Sequence, residues 1–140
     1  MANALYDSAR AKLLTAALGD LTAVTVKVSL MDNADYVVNL ATDDFEDDLT
    51  AAGQVADATV GVTSGVNGEL DAPNTTFSSV TGDVCESLAT WVDTGGAPST
   101  DPLIAYYDTF SAGMPVTPNG GDITVAWPSG IVMTIKANDA

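Results

Sequence analysis

The sequence predicts a mainly β protein, an antiparallel β-sandwich or barrel with one N-terminal α-helix. Only the first segment carries apolar residues at helical spacing, and from Val24 the period changes to two. The rest is a series of short runs rich in Val, Thr, Ile and aromatics, separated by Gly, Pro, Asn and Asp. With 140 residues, 46% of them hydrophobic, the chain is expected to form a single domain, 1–140, around one core: a helix within 1–19 and a β-rich body over 22–137.

The helix is expected from Asn3 to Leu18, with Leu5, Ala9, Leu13 and Ala16 on one face and Asp7, Arg10 and Lys12 facing out. Asn3 is its expected N-cap and Gly19 its stop. Arg10 and Lys12 are half of the 4 basic residues, so this helix is the one predicted place to meet an acidic partner. As an outlying docking element, it is expected to be removable, leaving a domain that folds without residues 1–18.

Val24, Val26, Val28 and Leu30 alternate with Thr25, Lys27 and Ser29 as in a half-buried strand, and Tyr36–Leu40 reads as a second strand after a turn at Asp32–Asp35. In the acidic stretch that follows, Phe45 and Leu49 are spaced four apart, so one helical turn pinned by these two is expected. Further strands are expected at Gln54–Val62, Thr75–Val80, Cys85–Asp93, Leu103–Phe110, Asp122–Trp127 and Ile131–Lys136. The turn Pro118-Asn119-Gly120-Gly121 should close a hairpin between Met114–Thr117 and Asp122–Trp127, and Trp127-Pro128-Ser129-Gly130 should feed the last strand. Of the adjacent Tyr106 and Tyr107, one should point inward and the other outward, the outward ring being an interface candidate.

Nineteen acidic residues against 4 basic ones give a formal charge of −15, which argues against nucleic acid or an anionic membrane as a partner. The chain has no histidine, so the commonest general base and transition-metal ligand is missing. Cys85 has no intrachain partner and stands beside Asp83 and Glu86, a setting for a small buried residue rather than a nucleophile. Asp43, Asp44, Glu46, Asp47 and Asp48 are the candidate cation ligands, but they lack the glycine and distal Glu of a calcium loop, and no metal site or cofactor is predicted. Asp32 and Asp35 form a second acidic pair, already explained by turn chemistry. The run Thr94-Gly95-Gly96-Ala97 lacks the Lys-Ser/Thr of a phosphate loop, and no catalytic residues are assigned. No apolar run reaches the length of a membrane span, and the start has no apolar signal-peptide centre, so synthesis in a host cytoplasm is expected.

Several stretches resemble a family of small structural proteins of tailed bacteriophages: Ala4–Asp7, Val26–Asp32, Ala34–Tyr36, Asn39–Thr42, Asp93–Gly95, Leu103–Tyr106 and Pro115–Val125 before Trp127. The likeness covers most of the chain, and its strongest blocks are Asp35–Thr42 and Pro115–Val125. Asn138-Asp139-Ala140 departs from the family's basic ending, and no contact of that ending is carried over. The resemblance implies a virion component without catalytic residues. The leading expectation is a capsid decoration or cement protein on the outer head surface, a homo-oligomer whose partner is the major capsid protein or another virion protein. Its interface candidates are Leu5, Tyr6, Arg10, Lys12 and Tyr107. The alternatives are a tail or baseplate component, or a host-surface carbohydrate-binding module using Trp91, Tyr107 or Trp127.

Overall fold

The computed structural model describes residues 3–110, 113–127 and 130–134, with Ile131 as backbone only. The chain enters through a strand rather than a helix. Strand β1 (Ala4–Leu5) pairs antiparallel with Tyr106 and Ala105, and Asn3 secures it as a clasp instead of an N-cap. Its side-chain oxygen accepts from the amides of Asp108 and Thr109, both at 2.9 Å. Helix α1 is therefore only Asp7–Leu14, with Ala9 its one buried residue.

Helix α1 ends before Gly19 because Ala16 takes the left-handed conformation, φ 59°. The Ala17 amide reaches the Lys12 carbonyl at 2.8 Å and the Ala16 amide reaches that of Leu13 at 3.4 Å, the pair of bonds that closes a Schellman motif. A Cβ in that conformation costs about 1 kcal/mol. Ala16→Gly, at an exposed site, is expected to stabilise the fold by about that amount, read as a higher urea midpoint with unchanged slope.

The main sheet has the order β1-β8-β7-β2-β3, with β2 (Thr25–Met31), β3 (Gln54–Val60), β7 (Ser87–Asp93) and β8 (Leu103–Tyr107), every pairing antiparallel. All of β8, and β7 up to Val92, is buried, because both faces of the sheet are covered. On one face lie α1 and the segment 36–49: the Tyr36 ring meets Tyr106 edge-on at 6.2 Å, and the Tyr36 hydroxyl lies 2.8 Å from that of Tyr6. On the other lie two small sheets, β10-β5-β4 and β6-β9. They consist of β4 (Ser64–Val66), β5 (Glu69–Asp71), β6 (Thr75–Phe77), β9 (Ile123–Val125) and β10 (Ile131–Thr134). There Tyr107 meets Trp127 edge-on at 5.5 Å. The chain is thus mainly β and sandwich-like, with an N-terminal helix.

Tyr106 and Tyr107 do alternate between the two faces, yet neither faces solvent. Tyr36–Leu40 forms no strand; it is irregular chain anchored by the buried Tyr36 ring. Glu46–Leu49 is the expected single turn, a 3₁₀ turn with Leu49 fully buried. The expected 114–127 hairpin is absent: β9 pairs with β6, Val116 bridges to Cys85, and Gly120 and Gly121 bond to Val80. The true tight hairpin is β4–β5, turning on Asn67 (φ 57°) and Gly68 (φ 76°) in a segment for which no strand was predicted. Pro128, Ser129, the end of the last predicted strand at Ile135–Lys136, and Asn138–Ala140 lie outside the described residues.

Candidate functional site

The five acids at 43–48 do not converge on a cation. Asp43 Oδ2 accepts from the Tyr36 hydroxyl at 2.8 Å and the Asn39 amide at 2.9 Å, fastening the 36–43 loop. Asp48 Oδ2 accepts from the amides of Asp44 (2.8 Å) and Phe45 (3.3 Å). Glu46 is buried and accepts from Gln54 Nε2 at 2.6 Å, while Asp47 is exposed at the start of the 3₁₀ turn. Burial raises the Asp44 carboxyl above its ordinary range, with Lys12 opposing. Asp43 and Asp48 thus hold backbone in place, as side-chain acceptors do at turns, while Glu46 ties to the Gln54 side chain.

The carboxylates that do gather are Asp32, Asp35 and Asp83, each with an oxygen within 4.8 Å of the others. Asp32 is buried and accepts from the Ala34 amide at 2.7 Å; Asp35 and Asp83 are exposed. Each can offer a hard cation such as calcium one or two oxygens, and backbone carbonyls or water would have to supply the rest of its six to eight ligands. The sequence places the first two at one turn, but only the lead into β7 brings Asp83 to them. Cys85 lies beside this group, fully buried, its thiol pushed up to about 11 by burial and then by Glu86. In the native protein at pH 8 the thiol is expected to resist a disulfide reagent and to react at once on unfolding, as absorbance at the released thiolate would record.

Of the predicted contact residues, Tyr6 and Tyr107 belong to the core. Tyr6 is fully buried, and Tyr107 donates to the Val132 carbonyl at 3.0 Å. Both tryptophans are buried as well, Trp91 bonding to Ser29 Oγ at 2.9 Å and Trp127 to Thr75 Oγ1 at 3.1 Å, which removes them as sugar platforms. Leu5 is half-buried, and Arg10 is exposed and paired with Asp7. Lys12 lies 4.1 Å over the Phe45 ring and donates to the Asp44 carbonyl at 3.1 Å, with its pKa lowered by desolvation.

Lys12 also lines an open cleft of about 580 Å³, together with Leu18, Val24, Phe45, Val92 and Thr94. Elsewhere the surface exposes Leu14 at 90% and Val37 at 84%. Neither was predicted: Leu14 falls off the helical stripe, and Val37 sat within a run read as strand. No described helix is long and apolar enough to cross a membrane. Among known proteins, no family model matches the chain and no curated protein matches it.

Proposed function

We propose that this protein is a structural component of a bacteriophage virion, a head decoration protein that acts by occupying a site on the capsid and turns over no substrate. The sequence resemblance supplies the virion setting. The observation that carries the mode of action is the division of its side chains. Every Tyr and Trp is buried, and Asp43, Glu46 and Asp48 are bonded within the fold, while large aliphatic side chains such as Leu14 and Val37 stand in solvent. Such a surface suits association through apolar contact. The charge of −15 suits a position away from packaged DNA, whose phosphates would repel it. A bound copy stabilises a lattice only by preferring it to free subunits, so many modest contacts must add. The carbohydrate-binding alternative loses its support with the burial of Trp91, Tyr107 and Trp127.

Particles made without the protein are expected to assemble and then release DNA at a lower temperature than complete particles. Equal release temperatures combined with poor adsorption to host cells would place the protein on the tail instead. Residues 1–18 cannot be deleted for such work, because Tyr6, Ala9 and Leu18 are core residues and β1 is part of the main sheet; this corrects the expectation of a removable helix. Leu14→Ser is the suitable variant, and it is expected to leave folding intact and weaken particle binding.

A further inference from the structure

The two ends of the main sheet carry complementary surfaces. Strand β2 pairs Thr25 with Asp93 at one end and Met31 with Ser87 at the other, a span of about 20 Å for seven residues at ~3.3 Å each. At the Thr25 end is the cleft lined by Lys12, Leu18, Val24, Phe45, Val92 and Thr94. Among the described basic side chains, Arg10 is paired with Asp7 and Lys27 with Asp93 at 3.7 Å, while Lys12 makes no ion pair. Asp44 acts on it only at longer range and through its carbonyl. The cleft thus offers apolar side chains beside Thr25, Thr94 and Thr100, the Asp93 carboxylate already paired with Lys27, and the Lys12 ammonium with no carboxylate in ion-pair contact.

Beyond the Met31 end stand Val37, 84% exposed and two residues after Asp35, and Val84, 39% exposed and directly after Asp83; the carboxylates of these two aspartates are crowded together with that of Asp32. Like charges held this close favour an incoming cation. The geometry points to head-to-tail self-association, in which the cleft of one copy receives Val37 of a second copy and Lys12 meets the carboxylates of Asp35 and Asp83. Because two different patches are used, the contact is heterologous and leads to a ring or an open chain of copies. It requires nothing of the virion and stands apart from the proposed capsid role.

Sedimentation velocity of the purified full-length protein, from micromolar to millimolar concentration at physiological ionic strength, tests it. The native protein is expected to associate with rising concentration. Lys12→Glu (cleft damaged) and Val37→Asp (projection damaged) are each expected to weaken this by about tenfold or more. The decisive arm is an equimolar mixture of the two variants: each keeps one intact patch, so the mixture should form a heterodimer and stop there. Circular dichroism establishes that both variants are folded, and Lys12→Gln replaces Lys12→Glu if the latter is not. A native protein that stays monomeric throughout would overturn the inference, as would variants that associate like the native protein or a mixture that forms no heterodimer. A monomer that still protected particles would overturn this inference alone and leave the capsid role standing.

Discussion

Raising the pH from 10 towards 12 is expected to unfold the protein, with stability falling by up to about 5 kcal/mol per pH unit. All four tyrosines, Tyr6, Tyr36, Tyr106 and Tyr107, are buried, and burial is the leading cause that raises each pKa above the ordinary value of 10.0, for Tyr107 to about 12. The folded state keeps its phenols protonated while the unfolded chain ionises near pH 10. Their contribution is therefore complete below pH 10 and is lost as the pH rises through the folded-state values. Cys85, raised to about 11, adds to the loss from about pH 9 upward. Urea midpoints measured at increasing pH should drop steeply above 10, and tyrosinate absorbance should rise with unfolding rather than before it. Tyrosinate forming near pH 10 in a protein that keeps its near-ultraviolet dichroism would contradict the buried network.

Ser29→Ala is expected to cost about 2–3 kcal/mol, although it removes a single oxygen. Ser29 Oγ is the junction of a polar network under the β2–β3 face. It donates to Asp57 Oδ1 at 2.6 Å and accepts from Trp91 Nε1 at 2.9 Å and from Gln54 Nε2 at 3.3 Å. Without it the buried indole N–H has no acceptor, and Gln54 keeps only Glu46. Trp91→Phe removes the orphaned donor, so the double variant should lose less than the sum of the single ones. Additive losses in that double-mutant cycle would show the bond to be energetically idle.

The sequence carried what depends on local pattern. The alternation at Val24–Leu30 gives β2, the Phe45–Leu49 spacing gives the 3₁₀ turn, and the acidic neighbours of Cys85 fit a buried, raised thiol. Long-range pairing decided the rest. Ala4–Leu5 fits a helical stripe, but its backbone gains ladder bonds from β8, 100 residues away, and the helix shortens accordingly. Asn119-Gly120 is a strong hairpin signal that tertiary pairing with Val80 overrides, while the tight turn forms at Asn67-Gly68 between strands too short to show a period. The same holds for the site: Tyr6 and Tyr107 look like contact residues until both faces of the sheet prove to be covered. The cleft beside Lys12 joins residues from both halves of the chain, and no window of sequence contains it.

Copy number in purified particles tests the central claim most directly. Quantitative mass spectrometry of virions, normalised to the major capsid subunit, should find the protein in fixed proportion to that subunit, at hundreds of copies per particle. Its absence from particles, or a count of a few dozen or fewer, would contradict a decoration role on the head.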